Sequence, residues 1–167
     1  MTEVVQHRSE VTVNAPVKKV FDTLSNLEVV AALAPGVTSI VRDGDSIMFD
    51  YTVRPLGINA DVPFVGIKAS IGDAQEPTVV THVVDGPIKG TFHWNLQSQK
   101  DDTFVALEVS YQLETGVING ALGSAGLLGG VVGGVTVALD KLLSPILDAN
   151  AATADHMVVN LKKICEG

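Results

Sequence analysis

Three successive runs between Val79 and Gln112 constrain the fold most, because two separate turns place apolar side chains on one shared face. With Lys100-Asp101 as a two-residue loop, antiparallel pairing sets Leu96 opposite Val105, Trp94 opposite Leu107 and Phe92 opposite Val109. Every pair is apolar. With a turn around Gly86-Pro87 that pairs residues whose numbers sum to 175, Val83 meets Phe92, Thr81 meets Trp94 and Val79 meets Leu96. A one-residue slip in either turn would mix the faces, so their agreement predicts an antiparallel meander with one buried side. The other side carries His82, His93, Asn95, Glu108, Ser110 and Gln112 and is expected to be wet.

The other elements follow from periodicity. Val5 to Val13 alternates, with Val5, His7, Ser9, Val11 and Val13 on one face, as a half-buried strand requires. Asn14-Ala15-Pro16 reads as a helix start with Asn14 as cap, and Val17, Val20, Phe21 and Leu24 then recur at helical spacing. A second short helix is expected over Asn26 to Leu33, stopping at Pro35-Gly36. Strands over Val37 to Arg42 and Ser46 to Val53 flank Asp43-Gly44, a hairpin dipeptide. Asn59 to Gly72 alternates weakly, with Val65, Ile67, Ala69 and Ile71 on one face. Beyond Pro145, which kinks or restarts the chain, Leu147, Ala151, Ala154, Met157, Val158, Leu161 and Ile164 form the stripe of an amphipathic helix.

Composition excludes several classes. Of 167 residues, 46% are hydrophobic and 18% charged, and mean hydropathy is above zero, so the chain should fold rather than stay disordered. Its length and the lack of a linker or repeat predict one domain over residues 1–167. The net charge of −8, with Lys and Arg scattered, argues against a nucleic-acid partner, which needs a clustered basic face. The lone Cys165 forms no internal disulfide, and no metal-ligand spacing or cofactor fingerprint is present, so no metal and no cofactor are expected. The N-terminus MTEVVQHRSEV lacks the regions of a secretory signal, which points to the cytoplasm.

The element order is α+β and predicts a helix-grip arrangement: a curved antiparallel sheet of about seven strands wrapped on a long C-terminal helix, with two short helices after strand one. This order, Val13-Asn14-Ala15-Pro16 with Val20-Phe21 and Leu24, and the Pro35-Gly36-Val37 that opens strand two resemble the START-related (SRPBCC) superfamily of birch-pollen-allergen-like proteins, polyketide cyclases and lipid-transfer domains. The run Gly86-Pro87-Ile88-Lys89-Gly90-Thr91-Phe92, and Leu127-Leu128-Gly129 leading into Leu142-Leu143-Ser144-Pro145, look like the subgroup of carbon monoxide dehydrogenase G-like proteins. The resemblance implies a hydrophobic cavity between sheet and helix for a lipid, quinone, polyketide or similar molecule. Expected lining residues are Phe49, Tyr51, Phe92, Trp94, Leu107, Val109 and Tyr111 from the strands, with Leu128, Val132, Val135 and Leu139 from the helix side. The rival reading is a solid core; small residues on the helix side favour a space.

The chemistry is sparse. The assumed register turns His82 and His93 outward, His7 reads as a satisfied core or rim histidine, and His156 as solvent-facing. No catalytic motif is present, and Tyr51, Tyr111 and Asp61 are the polar groups an enzyme would use. Eight of the sixteen glycines fall between Gly116 and Gly134, inside the uncharged stretch Thr115 to Leu139. Three readings of it stay open: a membrane span with GxxxG spacing, a mobile cavity gate, or a loop and helix whose glycines approach the sheet. The leading function is a soluble carrier for a hydrophobic small molecule. The alternatives are a polyketide cyclase or aromatase-like enzyme, and an accessory protein that links a partner enzyme to the membrane through transient contact. No sequence feature sets an oligomeric state.

Overall fold

The computed structural model describes residues 2–54, 62–114 and 135–167, with side chains over 4–54, 62–113 and 145–167. A first strand β1 (Thr2–Val13) is followed by two short helices, α1 (Val17–Leu24) and α2 (Leu27–Leu33). Six strands come next: β2 (Val37–Asp43), β3 (Ser46–Val53), β4 (Val62–Gln75), β5 (Val79–Asp85), β6 (Ile88–Gln99) and β7 (Asp102–Glu114). The long helix α3 (Val135–Glu166) ends the chain, with Pro145 inside it. The seven strands form one antiparallel sheet in the order β1-β7-β6-β5-β4-β3-β2. This is the expected helix-grip fold, with α3 against the inner face.

Curvature comes from irregular pairing in three adjacent strand pairs, β2/β3, β3/β4 and β4/β5. An extra residue bends its strand and raises its twist. In β4 the bulge falls at Val65-Gly66, where Gly66 has φ +77 and its N–H donates to Asp50 Oδ1 at 3.0 Å. Strict alternation fails there as a result: Phe64, Ile67 and Ala69 point inward, while Val65 is turned outward and is 67% exposed. The expectation of Val65, Ile67, Ala69 and Ile71 on one face is corrected for Val65; Ile71, paired with the buried His82, keeps the face of Ile67 and Ala69.

The β6/β7 register is the expected one, with Leu96, Trp94 and Phe92 opposite Val105, Leu107 and Val109. The β5/β6 register is not. Val80 pairs with Trp94 and His82 with Phe92, one residue away from the expected alignment. Such a slip exchanges the faces of a strand. Val80, His82 and Val84 are buried, whereas Thr81 and Val83 lie on the outer side, where Thr81 Oγ1 and His93 Nδ1 share a hydrogen bond of 2.7 Å.

Capping differs at one helix of two. Asn26 caps α2, accepting from the N–H groups of Glu28 and Val29. Asn14 does not cap α1; the cap position is Pro16, and the Asn14 N–H donates to Glu166 Oε2 at 2.7 Å, joining the end of β1 to the end of α3. The helix α3 buries Ile146, Ala154, Met157, Val158, Leu161 and Cys165, with Leu147 and Ala151 half-buried and Ile164 outside the stripe at 48% exposure. Polar ties fix its position: Asn160 Nδ2 donates to Leu33 O at 2.8 Å, and Lys162 Nζ donates to Thr12 O at 2.8 Å.

Candidate functional site

The inner face of the sheet, α2 and α3 meet around a cavity of about 70 Å³. Helix α2 contributes Leu27, Val30 and Ala31 from its buried stripe, with Ala34 just beyond it. The floor is Ile47, Phe49 and Tyr51 of β3, Ile67 and Ala69 of β4, His82 and Val84 of β5, Ile88 and Phe92 of β6, and Tyr111 of β7. Thr153 and Met157 of α3 close it. Phe49 and Phe92 are only half-buried, and the Phe92 ring stacks on Tyr111 with centroids 5.6 Å apart.

Four polar side chains face this apolar space, and each has a partner. Tyr51 Oη meets Thr153 Oγ1, and Thr153 Oγ1 in turn donates to the Ala149 carbonyl at 3.1 Å. Tyr111 Oη donates to Asn150 Oδ1 at 3.1 Å, while Asn150 Nδ2 donates to the Ile146 carbonyl at 2.8 Å. Burial pushes the Tyr51 phenol up to about 12, against the lowering effect of Thr153. Burial also raises that of Tyr111, helped by the nearby Tyr51. Both phenols stay neutral, since an apolar wall disfavours the charged form.

His82 is 3% exposed and bonded at both nitrogens. Trp94 Nε1 can only donate, and does so to His82 Nδ1 at 3.1 Å; the Leu24 carbonyl can only accept, and lies 2.7 Å from His82 Nε2. The ring is thereby held as the neutral Nε2–H tautomer, bridging the end of α1 to β6. Burial lowers its pKa to about 4, only partly offset by the Leu24 hydrogen bond. A histidine with both nitrogens committed and a pKa this low has neither a lone pair nor a proton to offer a substrate near neutral pH. The expectation of an outward His82 is corrected, because its two buried partners satisfy it inside.

Of the residues expected at the site, Phe49, Tyr51, Phe92 and Tyr111 border the cavity. Trp94, Leu107 and Val109 lie in the packed core and do not border it; Trp94 reaches the wall through His82. Leu128 and Val132 are outside the described residues, and Val135 and Leu139 belong to α3 with side chains outside them. Asp61 is likewise outside, as is the glycine-rich part of the uncharged stretch over residues 115–134, so its span, gate and loop readings fall there. His7 is half-buried and its Nε2 meets Asp155 Oδ1 at 2.9 Å, away from the cavity lining. Burial acts to raise the Asp155 pKa, but the hydrogen bonds from Ser9 and His7 outweigh it and hold the carboxyl low. His156 is exposed. The α2 contribution and the Asn150 and Thr153 partners were not anticipated from sequence. Their signal is a polar residue on an apolar helical stripe, Asn150 standing four residues from both Ile146 and Ala154.

Among the described residues there is no cluster of His, Cys, Asp and Glu fit for a metal ion, and no helix long and apolar enough to cross a membrane. No protein-family model matches the chain, and no curated protein matches it. Solved structures do. A conserved protein from Geobacillus kaustophilus superposes with a TM-score of 0.61 at 12% identity, covering 96% of this chain and 95% of its own. The KanY protein gives 0.60 at 16% identity over 99% of both chains. The di-domain ARO/CYC BexL from the BE-7585A biosynthetic pathway gives 0.59 at 15% identity, over 98% of this chain and 50% of that one. At such identities the likeness establishes the fold alone: the chain has a helix-grip architecture in common with these structures.

Proposed function

We propose that residues 1–167 form one domain that binds and carries a hydrophobic small molecule between the sheet, α2 and α3. The observation that carries this reading is the make-up of the cavity: apolar walls that include alanines at positions 31, 34 and 69 as well as aromatic rings, and a few polar groups that are all satisfied. Such walls with sparse, placed polar groups are what small-molecule sites use. The space of about 70 Å³ is small beside the roughly 300–1,000 Å³ of ligand pockets, so a molecule of lipid, quinone or polyketide size enters as the half-buried Phe49 and Phe92 swing aside. Phe49, Tyr51, Phe92 and Tyr111 would contact it directly, Trp94, Leu107 and Val109 would support them, and Leu128, Val132, Val135 and Leu139 would complete the helix side.

The likeness to BexL, an ARO/CYC of a biosynthetic pathway, keeps a cyclase-like enzyme as the second reading. Carriage is favoured over it because His82 is committed at both nitrogens and His7 is held by Asp155 away from the cavity lining. The sequence resemblance to carbon monoxide dehydrogenase G-like proteins supports a further role beside a partner enzyme at a membrane, which liposome co-sedimentation tests. For the leading reading, protein purified from its native source is extracted with mild organic solvent and the extract analysed by mass spectrometry. A stoichiometric apolar molecule supports carriage; an empty extract from a protein that also fails to bind a neutral apolar dye removes it.

A further inference from the structure

The hydrogens on the polar groups of the cavity wall follow from their partners, because each chain of hydrogen bonds ends on a backbone carbonyl, which only accepts. Thr153 Oγ1 gives its single proton to the Ala149 carbonyl, so the Tyr51–Thr153 bond uses the Tyr51 proton. Asn150 turns its NH₂ to the Ile146 carbonyl, so its Oδ1 faces Tyr111 and takes the Tyr111 proton. The His82 Nε2 proton goes to the Leu24 carbonyl, and Nδ1 is filled by Trp94. Both phenol protons therefore point into α3. What remains is a lone pair on each buried phenolic oxygen that no donor among the described residues fills, in a wall that carries no Lys or Arg among those residues.

We propose that the cavity selects apolar molecules bearing a neutral hydrogen-bond donor, an alcohol or a phenol, over ketones, ethers and carboxylates of the same skeleton, with Tyr51 and Tyr111 as the accepting groups. A ketone or ether brings a second acceptor against the phenolic lone pairs and finds no proton. A carboxylate brings in addition a charge that the apolar wall does not compensate. A hydroxyl supplies the missing donor. This selectivity rests on the carrier reading above and adds to it the chemical class of the ligand.

Competition against the neutral dye N-phenyl-1-naphthylamine separates the two. The competitors are 2-naphthol, 2-methoxynaphthalene, 2-naphthaldehyde and 2-naphthoate, which share one ring system. Wild-type protein is expected to bind 2-naphthol about threefold to tenfold more tightly than the ether or aldehyde, the range of one net hydrogen bond, although the ether is the more hydrophobic of the pair. 2-Naphthoate is expected to be the weakest. Equal affinity, or preference for the ether, aldehyde or carboxylate, overturns the selectivity while dye binding leaves the carrier reading standing; absence of dye binding overturns both. The wild-type comparison stands without any variant. Tyr51→Phe with Thr153→Val, and Tyr111→Phe with Asn150→Leu, each remove both ends of a bond and leave no unpaired group. The naphthol preference is expected to shrink in each pair variant, and a preference undiminished in both refutes the assignment to these two phenols.

Discussion

His82→Gln, measured as a function of pH, tests the buried bridge on which the inner face is registered. In the fold His82 is neutral, with a pKa of about 4, whereas in the unfolded chain it titrates at its ordinary value of 6.5. Between these values the unfolded state takes up a proton that the folded state refuses. Stability from this residue is thus complete above about pH 7 and drains away as pH falls through 6.5 toward 4, below which no more is lost. The full separation corresponds to about 3 kcal/mol, and the part lost between about pH 7.5 and pH 5 is about 2 kcal/mol. Gln can donate to the Leu24 carbonyl and accept from Trp94 Nε1, yet does not titrate. The variant is expected to be about 1–2 kcal/mol less stable than wild type near pH 7.5, because an amide fits the imidazole geometry imperfectly. The difference should close or reverse near pH 5. Urea unfolding of both proteins at the two pH values, with equal m-values as the check on a common fold, reads this directly. The depressed carboxyl Asp155 is present in both proteins and cancels. If the two proteins lose the same stability between the two pH values, the neutral buried bridge is wrong.

Other substitutions probe the packing around it. Leu161→Ala, at a fully buried position of α3, should cost about 2–5 kcal/mol in urea unfolding, and a loss below about 1 kcal/mol would mean that α3 does not grip the sheet there. Gly90→Ala drives a methyl into the Ser110 carbonyl oxygen and the Tyr111 backbone; about 2–4 kcal/mol of destabilisation or failure to fold is expected, and a neutral result in thermal melting contradicts the close β6/β7 approach. Tyr111→Phe alone strands the buried Asn150 Oδ1 and should lose about 1–3 kcal/mol, whereas adding Asn150→Leu should restore much of it. A double variant no more stable than the single one would show that the Tyr111–Asn150 bond is not what holds that part of the wall.

What could be read from sequence, and what could not, divides along physical lines. The β6/β7 pairing was legible because Phe92, Trp94 and Leu96 alternate with polar residues and meet apolar partners across a two-residue turn. The β5 register was not, because valines stand on both faces, at 79 and 83 and at 80 and 84. The choice then rested on Thr81 against His82, and a buried histidine is recognisable only once Leu24 and Trp94 are seen to satisfy it. In β4 the Gly66 bulge moved Phe64 inward and Val65 outward, which period-two reasoning cannot show. For the site, the aromatic positions 49, 51, 92 and 111 followed from alternation, while Trp94, Leu107 and Val109 share the face but sit in the packed region beside the cavity. That division depends on where α2 and α3 cross the sheet, a property of tertiary packing rather than of any strand.

The central claim is that the space between Ala31, Ala69, Phe92 and Tyr111 admits an apolar molecule, and one titration addresses it most directly. N-phenyl-1-naphthylamine is titrated into wild-type protein and into Ala69→Leu, whose isobutyl group would occupy the cavity of about 70 Å³. Saturable one-to-one binding to wild type is predicted, weakened at least about tenfold in a variant that remains folded, the loss of about 1.4 kcal/mol or more that filling an apolar site implies. Equal binding to both proteins, or none to wild type, contradicts it.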